Sequence, residues 1–201
     1  MSITNYSELQ ASVASWLNRN DLSSNIPDFI TLAEAQLSTD LKTRSMEAKV
    51  TLSTVAGTKT VALPTDMLEM RRIQVVGTYN QPLSYRSPDE LSIDYAANGS
   101  GQPVVFTVVG GNVELAPIPD AVYSLELTYQ QRIPALSDAS QTNWLLTTWP
   151  NAYLYAALLA ATPFIMNDER LPVWASLYEK AKESINGVDW YSGSTMKVRS
   201  R

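Results

Sequence analysis

Helical periodicity at both ends of the chain, with a long run of strand signals between, predicts an α+β fold. Helices from the N- and C-terminal parts are expected to form a four-helix bundle, with an antiparallel β-domain inserted between them. Three observations carry this expectation. Apolar residues recur at steps of three and four near both termini. From Ala48 to Leu136 the chain turns rich in Val, Thr, Tyr, Pro and Gly, with apolar–polar alternation. The stretch from Ser140 to Asn167 carries no charged residue at all, the mark of a segment enclosed by the rest of the protein. The expected organisation is 1–47 as a helical hairpin, 48–136 as the β-domain, 137–187 as the remaining bundle helices, and 188–201 as a flexible basic arm.

The first helix is predicted from Tyr6 to Asn18. Asn5 is its cap, Glu8 reaches back to that cap, and Leu9, Val13, Trp16 and Leu17 share one face. The second begins at Pro27, where a missing N–H costs nothing, and runs to Arg44 with Phe29, Ile30, Ala33, Leu37 and Leu41 inward. Strands follow at Lys49–Leu52, Lys59–Leu63 and Arg71–Val76, with Pro64–Glu69 irregular. Ser87-Pro88-Asp89-Glu90 is a capping box opening a short helix to Ala96 that lies on the sheet through Leu91 and Tyr95. Gly110-Gly111 closes a hairpin between Val104–Val109 and Asn112–Ala116. Tyr123–Gln131 has the cleanest two-residue period in the chain. After a turn of helix at Thr142–Thr147, Trp149–Ala161 reads as the core helix, with Pro150 at its first position. It is shorter than the roughly 18–20 apolar residues that cross a bilayer. The last helix is predicted over Asp168–Asn186, with Leu171, Trp174, Tyr178, Ala181 and Ile185 as its seam. Pro172 demands a late start or a bend, and Gly187 is its stop. The predicted bundle core therefore holds Trp16, Leu17, Ile30, Leu37, Tyr153, Ala157, Leu158, Trp174 and Tyr178.

Composition excludes several chemistries. The 201 residues include no cysteine and no histidine, so thiolate chemistry, Cys-based metal sites and a Ser-His-Asp triad are impossible. A net charge of −5 opposes general binding to nucleic-acid phosphates. The polar Met1–Tyr6 start does not read as a secretory signal. The carboxylate pairs Asp66/Glu69, Asp89/Glu90 and Asp168/Glu169 suit turns and helix first turns better than catalysis. Arg71-Arg72 reads as a surface or interface pair. No catalytic, cofactor-binding or metal-ligating residue is assigned, and no cofactor. The exception to this plain surface is the C-terminus. Trp190 and Tyr191 precede a Ser/Gly spacer and the cations Lys197, Arg199 and Arg201, a pattern that suits an arm ordering on a partner.

An ordered set of segments resembles the bacteriophage head-to-tail adaptor (connector) family, including the tail tubular protein A type. They are Asn5-Tyr6-Ser7-Glu8-Leu9 with Trp16-Leu17-Asn18-Arg19, and Ile26-Pro27-Asp28-Phe29-Ile30 with Ala33-Glu34. Leu63-Pro64-Thr65-Asp66-Met67-Leu68-Glu69 and the Leu-x-Pro-x-Pro segment ending at Pro119 follow. The last block is Thr142-Asn143-Trp144-Leu145-Leu146, Tyr153–Leu159, and Asp168-Glu169-Arg170 with Trp174 and Tyr178. The resemblance covers nearly the whole chain up to Gly187. It implies a structural virion protein of the neck, made in the host cytoplasm. Such proteins form a ring, usually of twelve copies, on the portal protein and hand the DNA channel on to a downstream tail or nozzle protein. DNA passes as cargo and no membrane is involved. The resemblance also implies a monomer in isolation, assembly on the portal, and a grip on the portal by the C-terminal arm. Two other readings compete with it: another tail-completion or protein- or glycan-binding module, and a hydrolase built on paired carboxylates.

Placing Leu158 in the core has a direct consequence. Leu158→Asp should yield no soluble folded protein, because an unpaired buried charge costs several kcal/mol; expression and circular dichroism report it.

Overall fold

The computed structural model describes residues 3–19, 21–94, 99–165 and 168–192. It is a mixed α+β protein with two compact units, Met1–Met46 with Ile133–Arg201, and Glu47–Arg132.

In the first unit, α1 (Tyr6–Leu17), α2 (Ile26–Asp40) and the later helix α6 (Leu171–Ser192) each pack against α5 (Pro150–Ala160). Helix α5 is built for this central place. Ala152, Ala156, Ala157 and Ala161 keep its surface low so that neighbours approach closely, while Tyr153 and Leu158 fill the space between. The short helix α4 (Trp144–Thr148) runs almost directly into it. The break at Trp149 (φ −134°, ψ 59°) follows from Pro150, whose ring drives the preceding residue out of the helical region. Leu9, Val13 and Leu17 of α1, Phe29, Ile30, Ala33 and Leu37 of α2, and Trp174, Tyr178, Ala181 and Ile185 of α6 complete one core.

The second unit is a sandwich of two four-stranded sheets. One is antiparallel, in the order β1 (Glu47–Ser53), β8 (Ser124–Gln131), β3 (Met67–Val76), β4 (Gln81–Pro82). The other runs β2 (Thr60–Ala62), β7 (Asn112–Ala116), β6 (Val105–Val109), β5 (Ser84–Tyr85). Val61, Phe106, Val113 and Leu115 from one sheet meet Ile73, Val75, Leu125, Leu127 and Tyr129 from the other. Gly110 and Gly111 both take positive φ, 57° and 81°, as a two-residue hairpin with matched twist requires. Helix α3 (Pro88–Asp94) opens with the reciprocal capping box, Glu90 N–H to Ser87 Oγ and Ser87 N–H to the Glu90 carboxylate. Its Leu91 packs on Val105 and Ala116; Tyr95 lies outside the described residues.

Several expectations are corrected. Trp16 is 41% exposed: it sits in the last turn of α1, where its ring meets Tyr155 edge-on at 6.0 Å and the remainder is left to solvent, while Leu17 takes the core position. The Glu8 carboxylate reaches past the cap to the N–H and hydroxyl of Thr4. Helix α2 ends at Asp40, four residues short of Arg44, because Asn186 of α6 caps it: its amide donates to Asp40 O and its oxygen accepts from Lys42 N–H. β3 begins at Met67, inside the segment expected to be irregular, and crosses two bulges. The second sheet is not wholly antiparallel, since β5 pairs with β6 in parallel.

Helix α6 starts late, at Leu171, which accommodates Pro172 within its first turn. It then passes through Gly187 to Ser192. Gly187 does not adopt the left-handed backbone of a helix stop, so nothing there ends the hydrogen-bond ladder. Residues 188–192, expected in a flexible arm, thus belong to α6. A Cβ at Gly187 meets nothing within 4 Å. Gly187→Ala should raise stability by about 0.5–1 kcal/mol, read by urea denaturation; a helix ending there in a left-handed cap would give a loss instead.

Candidate functional site

The polar chemistry inside the helical unit gathers on the segment that returns from the sheets. On the buried side of α2, Glu34 and Ser38 lie one turn apart. The Glu34 carboxylate accepts the Leu136 N–H at 2.7 Å, and Ser38 Oγ accepts the Ile133 N–H at 3.3 Å. The Tyr153 hydroxyl donates to the same Glu34 oxygen at 3.3 Å and accepts from the Asn143 amide at 2.6 Å. That amide also donates to Pro134 O at 2.7 Å, while its oxygen caps α4 by accepting the Leu146 N–H at 2.8 Å. Farther along, Gln141 O accepts the first N–H of α1, from Tyr6, at 2.8 Å. Burial pushes the Glu34 carboxyl above the ordinary value of 4.5, against the Leu136 and Tyr153 donors that pull it down. Burial and then the Glu34 charge push the Tyr153 phenol far up, so it remains a donor at any ordinary pH.

The polar atoms of this cluster bond to backbone or to one another, and they tie α2, α4 and α5 to the returning segment. The sequence reading used Glu34 only as part of a family motif. The signal for more was present: Glu34 and Ser38 interrupt the apolar stripe Ile30, Ala33, Leu37, Leu41, and a charge on a buried helix face demands a partner.

One member of each carboxylate pair is likewise engaged. Asp66 accepts the Tyr129 hydroxyl at 3.3 Å, and its carbonyl accepts the Arg132 N–H. Glu90 is used in the capping box. Asp168 lies ahead of α6 and holds Arg170 through two oxygens, at 2.9 and 2.6 Å, which keeps its carboxyl below the usual range. Arg170 in turn donates to Trp16 O at 2.8 Å, satisfying a carbonyl at the end of α1, and lies 4.9 Å over the Trp174 ring. No group of three or more Asp and Glu side chains that could hold a metal ion occurs among the described residues.

What the surface offers is contact area. On the helical unit, α2, α5 and α6 enclose a groove of about 560 Å³. Leu32, Ala33, Ala156, Leu159 and Ala160 give it apolar walls. Asp40, Glu179 and Lys182 stand on its rim, with Lys182 paired to Glu179 at 2.6 Å and Asp40 accepting the Tyr178 hydroxyl at 2.7 Å. On the sandwich, the first sheet carries a polar relay across three strands: Lys49 lies 3.8 Å from Glu126, Glu126 accepts from Gln74 at 2.7 Å, and Gln74 accepts from Arg72. Arg71 and Arg72 border a groove with Met70, Tyr85, Phe106 and Val108.

The residues expected in the core fall as follows. Leu17, Ile30, Leu37, Tyr153, Ala157, Leu158, Trp174 and Tyr178 are buried around α5, and Trp16 stands at the edge. Of the arm, Trp190 and Tyr191 have their backbone in the last turns of α6; Lys197, Arg199 and Arg201 lie outside the described residues. No helix among the described residues is long and apolar enough to cross a membrane. A family model described as SU10 adaptor protein matches residues 4–199, across both units. No curated protein matches the chain.

The Glu34 cluster makes a signed prediction. Glu34→Ala strands the Leu136 N–H and the Tyr153 hydroxyl and should cost about 2–4 kcal/mol. Glu34→Gln keeps an acceptor and should cost less. Folded Glu34 holds its proton more tightly than unfolded Glu34. Its contribution is therefore greatest below 4.5 and is lost as pH rises through the raised value. Wild-type stability relative to Glu34→Gln should fall from pH 4 toward pH 7 in denaturant titrations.

Proposed function

Because the chain belongs to the SU10 adaptor protein family, we propose that it is a head-to-tail adaptor of a phage neck. In this reading its copies form a ring, of twelve, that docks on the portal protein, extends the DNA channel and presents a docking surface to the downstream tail or nozzle protein. The observation that carries the proposal is the family match over residues 4–199, which takes in the helical unit and the inserted sandwich together. A structural adaptor family points to a non-enzymatic role.

The parts divide naturally. We read α1, α2, α5 and α6 as a four-helix bundle that forms the rigid body of each ring subunit, with the sandwich as an inserted contact module. Trp190 and Tyr191, at the end of α6, and the cations Lys197, Arg199 and Arg201 beyond it form the portal-binding arm. The aromatic pair supplies desolvated anchors and the cations guide the approach. DNA is passing cargo, and a chain of net charge −5 repels rather than retains a sliding polyanion. The protein resides in the virion and is made in the host cytoplasm.

Imaging the chain mixed with its cognate portal tests the proposal. A ring of chain density on the portal is expected. Absence of binding, together with absence of the chain from the neck of tailed virions, would overturn it; a position at the tail tip would instead favour a tail-completion or glycan-binding module. Truncation after Ser192 should leave the circular dichroism spectrum unchanged, weaken portal docking at least tenfold, and make the remaining affinity less salt-dependent. Unchanged docking would remove the cations Lys197, Arg199 and Arg201 from the mechanism.

A further inference from the structure

The antiparallel sheet has two edges, and they are built differently. On one side stand β4, only two residues long and carrying Pro82, and β3, broken by bulges between Met67 and Glu69 and between Met70 and Arg72. Short edge strands, proline, bulges and edge lysines are devices that stop a sheet from pairing with another chain. On the other side stands β1, seven residues, regular, without proline, glycine or bulge, with the exposed Lys49 as its one such device. Among the described residues no strand but β8 pairs with it, and no other backbone group bonds to its outer edge.

The register defines what that edge presents. β1 pairs with β8 from Glu47↔Gln130 to Ser53↔Ser124, and the next residue, Thr54, donates its N–H to Tyr123 O. In an antiparallel ladder hydrogen-bonded positions alternate. Ala48, Val50 and Leu52 therefore spend their backbone groups on β8, and Glu47, Lys49, Thr51 and Ser53 aim theirs outward. The side chains divide by the same parity. Ala48, Val50 and Leu52 are half-buried against the sandwich core, and the other four are exposed.

We propose that β1 is a docking edge for β1 of a second copy of this chain, paired antiparallel about a two-fold axis at Val50. Only this centre satisfies the edge without conflict. It sets Glu47 against Ser53 and Lys49 against Thr51 of the other copy, all four with outward backbone groups, so that each pair forms the hydrogen-bonded kind. It sets Val50 against Val50 and Ala48 against Leu52 on the inner face, where the half-buried apolar side chains gain cover. A centre at Lys49 would oppose two lysines, and a centre at Thr51 would leave Glu47 beyond the partner strand. The two antiparallel sheets then become one continuous sheet through two copies. The pairing is isologous and closes at two copies. It describes the free chain and does not rest on the adaptor reading.

A single strand pair is a small interface, so a weak dimer is expected, with Kd on the order of 100 µM. Analytical ultracentrifugation of the full chain over a wide concentration range reads it. Thr51→Pro removes only an outward N–H, so the ladder to β8 stays intact; it should raise Kd at least tenfold with an unchanged circular dichroism spectrum. Val50→Cys, in a chain with no cysteine, places the two sulfurs on the axis, where opposed Cα atoms about 4.5 Å apart allow a disulfide. It should give a covalent dimer on mild oxidation, and Val55→Cys, beyond the strand, should give far less. A chain monomeric to about 1 mM, a dimer that survives Thr51→Pro, or a dimer in which Val50→Cys does not cross-link more than Val55→Cys would each overturn the proposal. Portal binding measured on Thr51→Pro keeps the two readings apart, since the adaptor reading expects it unchanged.

Discussion

Glu34 and Ser38, one turn apart on α2, hold the backbone of the segment that comes back from the sandwich, and the helical unit depends on that hold. An inserted module separates two parts of one core by 86 residues of chain, from Glu47 to Arg132. The ends must be brought together again, and closing so long a loop costs conformational entropy that grows with its length. Apolar contact alone would permit the returning segment to slide. Two backbone N–H groups, from Ile133 and Leu136, seated on two acceptors of α2 do not. Tyr153 and Asn143 then tie the same place to α5 and to the start of α4, and Gln141 accepts the first N–H of α1. Removing any member strands another, which makes the cluster specifying as well as stabilising.

Around that point the helices can be read as consequences. Pro150 breaks α4 from α5 and lets α5 take its own direction. A run of alanines makes α5 slender enough for α1, α2 and α6 to pack against it. At its far end α6 returns the support: Asn186 caps α2, and Arg170, held by Asp168, satisfies a carbonyl at the end of α1. Helix ends that would expose unpaired groups are thus closed by side chains from other helices, and the lengths of the elements are set jointly.

The sandwich is held by different means. Its core needs both sheets, and its hydrogen bonds stop at strands that are either protected or open. β3 and β4 are guarded by bulges and a proline, whereas β1 carries only Lys49. The helical unit makes its own offer through an apolar groove with a charged rim.

Much of this was legible in the residues. The alternation of Leu125, Leu127 and Tyr129, the Gly110-Gly111 turn, the Ser87–Glu90 capping box and the charge-free run through Tyr153 and Leu158 each act over a few residues, and local chemistry decides them. The ordered family motifs, spread along the chain, carried the adaptor assignment. What local chemistry does not contain was decided by tertiary structure. Helix α2 stops at Asp40 because Asn186, far along the chain, caps it there. Helix α6 ignores Gly187 because a glycine permits a stop without compelling one. Trp16 has the right spacing for the core but lies in the last turn of α1, where its ring is left partly open to solvent. The pairing of Glu34 with Leu136 N–H and Tyr153 belongs to this second kind too. The sequence shows a carboxylate on a buried face and so determines that a partner must exist; only folding brings the partner within hydrogen-bond distance, because a hydrogen bond is fixed by position in space and not by separation along the chain.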